Sequence, residues 1–135
     1  MCLDTSFIIA LLRRDRGAEE KLEEYVSGNV RLSTTPITAC ELFKGAYRSK
    51  RREVEVEKVR GLLAYLEILG FSLAACERYG KLVNEEPLRS SPIGDLDTVI
   101  ASIALTHNES VATSNRRHFE KVPGLLIETW STAHL

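Results

Sequence analysis

Four acids in this chain are spaced so that they could work together: Asp4, Glu41, Asp95 and Asp97. Carboxylates gathered at one place repel one another, and a hard dication between them relieves that repulsion. Mg²⁺ takes oxygen ligands and keeps several of its waters, so one or two carboxylates plus a substrate phosphate suffice to hold it. A metal held in this way activates water, and a pair of metals clamps the attacking and leaving oxygens of a phosphodiester. Phosphodiester hydrolysis is therefore the chemistry these residue types suggest. Each acid also has a structural reading. Asp4 suits a helix N-cap, and Asp95 or Asp97 suits the positive end of a helix dipole. Glu41 stands among Ala39, Cys40, Leu42 and Phe43, where a buried acid needs a partner and an exposed one needs none.

The choice between these readings depends on the elements that carry the acids. Leu3-Asp4 reads as the end of a very short strand, followed by a helix through Leu12 capped by Thr5 or Ser6. A polar amphipathic helix spans Ala18 to Val26, and Val30 to Thr34 is a second strand. Thr35-Pro36 opens a helix, with Pro36 at the favoured first position. Val54 to Leu69 shows a helical apolar stripe ended by Gly70, and Phe71-Ser72-Leu73 reads as a third strand. Ala74 to Asn84 is a helix, Ser90 to Gly94 a loop, and Asp97 to Thr106 a strongly apolar helix of the buried kind. Ser110 to Thr113 is strand four, Asn115 to Phe119 a short helical turn, and Leu125 to Glu128 strand five. Strands alternating with helices predict a parallel sheet covered on both faces. Ligands of such sheets sit at the carboxyl ends of the strands. On this reading Asp4 ends strand one, Glu41 lies in the second turn after strand two, and Asp97 opens the helix before strand four.

Composition bounds the rest. A chain of 135 residues, 44% hydrophobic and 27% charged, is a single globular domain. No apolar run approaches the roughly 18 residues that span a bilayer, and Asp4 stands where a leader would carry basic and apolar residues, so a cytoplasmic protein is expected. Cys2, Cys40 and Cys76 form no CxxC pair and read as core or near-core residues. His107, His118 and His134 show no metal-binding spacing, and His118 reads as a packing or loop residue. A net charge of −1 does not advertise nucleic acid, but its distribution matters more than its sum. Basic residues cluster at Arg13, Arg14 and Arg16, at Arg48, Lys50, Arg51 and Arg52, and at Arg116 and Arg117 beside the proposed site. Such clusters are solvated faces or a basic rim for a polyanion. Asp95-Leu96-Asp97-Thr98-Val99 also fits the DxDxT/V pattern of haloacid-dehalogenase-type phosphatases. It follows a loop rather than an apolar first strand, and too little chain remains after it for such a domain.

Four segments, in order, resemble PIN-domain proteins: Leu3-Asp4-Thr5-Ser6, Glu41 to Gly45, Ile93 to Ala101 and Thr113 to Phe119. Within that family the chain is most similar to VapC-type toxins of bacterial and archaeal toxin–antitoxin pairs, down to Val122-Pro123-Gly124-Leu125 and Trp130. The resemblance implies a three-layer α/β/α sandwich with a short, mainly parallel sheet. It implies an endoribonuclease dependent on Mg²⁺, with Mn²⁺ as substitute, yielding a 5′-phosphate and a 3′-hydroxyl. It places Asp4, Glu41 and Asp97 at the catalytic, metal-holding positions, with Asp95 as an accessory acid. Thr5 and Ser6 match polar residues flanking the first acid, and Thr113 and Asn115 match the loop after strand four. RNA contact is expected from these four and from Arg116 and Arg117. A homodimer is implied, inhibited by a small antitoxin over the active groove, for which the 54–69 helix offers an apolar face. Two departures stand out. Asn115 occupies a place where many relatives carry a fourth acid, and strand one looks clipped, which sets the expected native start upstream. Rival readings are a PIN nuclease of RNA processing or quality control, and a catalytically silent module that only binds RNA or protein.

Overall fold

The computed structural model describes residues 1–131; His134 lies outside them. Five two-residue strands form one sheet: β1 (Cys2–Leu3), β2 (Ser33–Thr34), β3 (Glu67–Ile68), β4 (Val111–Ala112) and β5 (Ile127–Glu128). Their spatial order is β3-β2-β1-β4-β5, and every neighbouring pair is parallel. Seven helices connect them: α1 (Thr5–Leu12), α2 (Arg16–Ser27), α3 (Pro36–Arg48), α4 (Arg52–Leu63), α5 (Leu73–Asn84), α6 (Asp95–Thr106) and α7 (Arg116–Phe119). Among the described residues no helix is long and apolar enough to cross a membrane.

Because side chains alternate along a strand, even these short strands feed two cores. Cys2 and Val111 face a cluster completed by Ala75 and Leu82 of α5, Ile100 and Ile103 of α6, and Phe119 of α7. Leu3 and Ala112 face the other, with Phe7 and Ile8 of α1, Ala18 and Tyr25 of α2, Leu42 of α3 and Val59 of α4. The result is the expected α/β/α sandwich. β1 is central, with Cys2 opposite both Ser33 and Val111, so the residue that leaves it, Asp4, emerges mid-sheet beside the end of β4.

Local chemistry explains the helix starts. Asp4 caps α1 through Phe7 N–H, Asp15 caps α2 through Ala18 N–H, Thr35 caps α3 ahead of Pro36, and Ser72 caps α5. Several boundaries differ from the sequence reading. The helix expected over 54–69 ends at Leu63, and its tail turns into β3. There Glu67 N–H donates to Leu32 and Leu69 N–H to Thr34 (2.8 Å), so pairing at the sheet edge overrides a periodicity that happens to continue. Phe71-Ser72-Leu73 is not a strand: Ser72 is a cap and Leu73 the exposed first residue of α5. The buried helix opens at Asp95 rather than Asp97, after Gly94 at φ 96°, a backbone geometry that favours glycine. Cys2 is core, whereas Cys40 and Cys76 lie on the exposed faces of amphipathic helices. On α4 Val56 and Val59 face inward and are core, while Val54 is exposed.

Candidate active site

Asp4 is buried to 4% exposure, and both of its oxygens are held. Oδ1 accepts from Ser6 Oγ (2.7 Å) and Phe7 N–H (3.0 Å), and Oδ2 from Thr113 Oγ1. Burial pushes its pKa above the ordinary carboxylate value. The hydrogen bonds from Thr113, Ser6 and Phe7 oppose that rise, and the charge of Asp97 adds to it. Asp4 follows β1, and Asn115, which bonds Asp97, follows β4, so both acids lie at the carboxyl edge of the sheet, the place where parallel sheets bind ligands.

The loop after β4 is tied down around Asp4. Thr113 is fully buried, and its Oγ1 accepts Asn115 N–H (2.8 Å) while donating to Asp4. Ser114 N–H donates to Ser6 Oγ (3.0 Å). Thr5, Ser6 and Thr113, expected at the substrate, each place a hydroxyl on one of the acids. Thr5 Oγ1 donates to Glu41 Oε1 (2.6 Å) and lies 3.1 Å from Thr38 Oγ1. One residue on either side of the α1 start thus connects Asp4 to Glu41 across to α3.

Asp97 lies in the first turn of α6, and its Oδ2 meets two nitrogens, His118 Nδ1 (2.8 Å) and Asn115 Nδ2 (3.2 Å). Its Oδ1 has no protein partner among the described residues, and neither does Glu41 Oε2. Asp95 turns elsewhere: it is exposed and accepts from Tyr79 OH (2.9 Å) on α5, which raises the Tyr79 pKa. Arg116 and Arg117 are exposed on α7, and Arg116 pairs with Glu120 (3.3 Å). The structure thus brings Asp4, Asp97 and Asn115 together, links Glu41 through Thr5, and turns Asp95 outward.

Thr38, Ser114 and Tyr79 are not singled out by the sequence, and His118, read there as a packing or loop residue, meets Asp97 instead. His118 had a usable signal, since it stands three residues after Asn115 on a helical turn, a spacing that puts both side chains on one face. Tyr79 had none, because its meeting with Asp95 needs the packing of α5 on α6.

Among the described residues no three His, Cys, Asp or Glu side chains are grouped so that they could together hold a metal ion. The donors present are nonetheless all hard oxygens, and two carboxylate oxygens are left unengaged. That set fits a hard dication held by one or two carboxylates and otherwise by water. From Glu41 an open groove of about 550 Å³ runs between α1, α3 and the start of α6, lined by Thr5, Ile9, Glu41, Lys44, Arg48 and Leu96.

The model of the PIN domain matches residues 1–125. The chain is 30% identical over 128 residues to ribonuclease VapC2 of Rickettsia felis, covering 95% of this chain and 96% of the relative. It is 31% identical to a tRNA(fMet)-specific endonuclease VapC of Salmonella typhimurium, with the same coverage. Among solved structures, VapBC2 of Rickettsia felis bound to a DNA fragment from its promoter superposes with a TM-score of 0.87 at 30% identity, covering 96% of this chain and 98% of that one.

Proposed function

We propose a function from one premise: the chain belongs to the PIN-domain family. It is an endoribonuclease of the VapC type, the toxin of a toxin–antitoxin pair, and it hydrolyses RNA phosphodiesters with Mg²⁺ or Mn²⁺ as cofactor. The observation that carries this reading is buried Asp4, at the end of β1, facing the charge of Asp97 in the first turn of α6, where two like charges would otherwise destabilise the site.

Asp97 and Asp4 would hold the cofactor, with Glu41 contributing directly or through water. A bound dication would supply a water acidic enough to attack phosphate near neutral pH and would polarise the phosphoryl oxygen. The chain's own part is orientation. Thr113, Ser6 and Phe7 N–H fix Asp4 in one rotamer, and Thr5 does the same for Glu41. Asp95, held by Tyr79, adds negative charge at the rim. The in-line products are a 5′-phosphate and a 3′-hydroxyl. The partners are a second copy of the chain and a small antitoxin covering the groove. In a cytoplasmic protein that cover keeps the nuclease silent.

A site made of acids must still attract a polyanion. Lys44 and Arg48 lie on the Glu41 face of α3, at spacings of three and four residues, and both line the groove. With Arg116 and Arg117 on the far side of the acids, they form the basic rim along which RNA lies. On cleavage-dead chain, the double change Lys44→Ala/Arg48→Ala is expected to reduce the slope of log affinity against log salt. For single-stranded RNA the reduction should be about 1.4, roughly 0.7 for each phosphate that is no longer neutralised. An unchanged slope would place the RNA elsewhere.

The function itself is tested by incubating purified chain with a broad RNA panel. Cleavage should appear with Mg²⁺ or Mn²⁺, stop with EDTA and return when metal is restored. No cleavage under any of these conditions, or cleavage indifferent to EDTA, would overturn the reading.

A further inference from the structure

His118 lies within hydrogen-bond distance of Asp97, and its surroundings hold it there. Asn115, three residues earlier, is pinned by its own N–H to Thr113 Oγ1 (2.8 Å), and Thr113 is fully buried. Phe119, the next residue, is fully buried in the core beneath α6. The single turn of α7 is therefore anchored at both ends, and the imidazole between the anchors is presented to one carboxylate oxygen.

The carboxylate decides the tautomer. Asp97 Oδ2 can only accept, so the 2.8 Å contact is a hydrogen bond when the proton is on Nδ1. The other tautomer would let Nδ1 accept from Asn115 Nδ2, also 2.8 Å away, but would set a ring lone pair against a carboxylate oxygen. With Nδ1–H donating, Oδ2 is engaged by His118 and by Asn115 Nδ2 (3.2 Å), the Nδ1–Asn115 Nδ2 approach is a donor–donor contact and no hydrogen bond, and Oδ1 has no partner among the described residues.

We propose that His118 is a positioning residue: its Nδ1–H fixes the Asp97 carboxylate so that Oδ1 is the oxygen offered to the metal. The inference rests on Asp97 being a metal ligand. Groups that orient a ligand from behind typically matter 10- to 100-fold in metal affinity, and without His118 the Asp97 side chain is free to rotate around the single remaining donor, Asn115.

The test measures Mn²⁺ binding by the electron paramagnetic resonance signal of the free ion, on the full chain without RNA. Asp97→Asn serves as the control for the ligand assignment. His118→Ala and His118→Gln should each weaken binding at least about tenfold. His118→Asn should restore it to within a fewfold of the unaltered chain, because the Asn amide nitrogen stands where Nδ1 stood, whereas that of Gln stands nearer Nε2. The His118 side chain is 42% exposed, so these variants should melt near the unaltered chain. Equal Mn²⁺ affinity in His118→Ala, or no rescue by His118→Asn, would overturn the proposal while leaving the metal reading intact. If the unaltered chain binds no Mn²⁺, or Asp97→Asn binds it equally well, the ligand assignment fails and the proposal falls with it.

Discussion

Asp97→Asn is expected to slow RNA cleavage about 10³-fold at saturating Mg²⁺, and Asp4→Asn by at least as much. Charge stabilisation by a bound cation is worth several kcal/mol in the transition state. At about 1.4 kcal/mol per factor of ten, a loss of about 4 kcal/mol gives that figure. The two variants separate in stability. Asp4 is buried beside another acid, and burial disfavours its charged form. Asparagine removes that charge and keeps an oxygen for Ser6 Oγ and Phe7 N–H. Its new N–H₂ faces Thr113 Oγ1, which has to turn from donor to acceptor. Without metal at pH 7, Asp4→Asn should therefore melt higher than the unaltered chain while losing cleavage. Asp97 is 24% exposed and its Oδ2 meets the side-chain nitrogens of His118 and Asn115, so its substitution should bring a smaller gain than that of Asp4. Single-turnover cleavage and thermal denaturation on the same samples check both halves. An Asp4→Asn chain that still cleaves would remove Asp4 from the chemistry. One that melts lower would mean that the hydrogen bonds to the carboxylate outweigh its burial.

That opposition of function and stability explains which parts of the site were legible beforehand. An acid directly after a short apolar segment, with a helix behind it, is readable because the alternation of strands and helices implies strand ends and ligands gather there. Asp4 and Asp97 followed from that rule and from the family resemblance. What the alternation does not contain is strand order. The meeting of Asp4 with Asp97 depends on β1 lying directly beside β4, two strands far apart in sequence. The expected gathering of all four acids was too generous for a related reason. Asp95 is two residues from Asp97, a separation that puts the two on different sides of a helix, and Tyr79 of α5 holds Asp95 there. β3 was misread because both its residues are exposed on the edge of the sheet, so no alternating pattern marks it. His118 was set aside because a lone histidine carries no ligand spacing. Its role is to hold a carboxylate, and the only trace of that in the sequence is its distance from Asn115.

Phe7→Ala should cost about 4 kcal/mol of folding free energy, within the range of 3–5 seen when a buried phenylalanine is cut to alanine. For a domain of this size that is a fall in melting temperature of roughly 15 °C. Phe7 is fully buried where α1, α2 and the segment after β5 meet. Its ring takes the Trp130 indole edge-on at 4.6 Å and lies 6.3 Å from that of Tyr25, an arrangement that adds to plain area burial. Among the described residues Trp130 Nε1 is buried without a hydrogen-bond partner, so packing against Phe7 is what orients the indole. Losing the ring should therefore loosen Trp130 as well. The chain has a single tryptophan, so its fluorescence should shift to the red in the folded state, below the melting transition. Phe7→Leu, which fills most of the space, should recover most of the stability but not the edge-on packing. The donor to Asp4 at this position is the backbone N–H, which neither substitution removes. At temperatures where both variants are folded, cleavage should then fall far less than in Asp97→Asn. If Phe7→Ala lost cleavage as completely while still folded, the rigidity of the α1 start, and not the donor alone, would be what holds Asp4 in place.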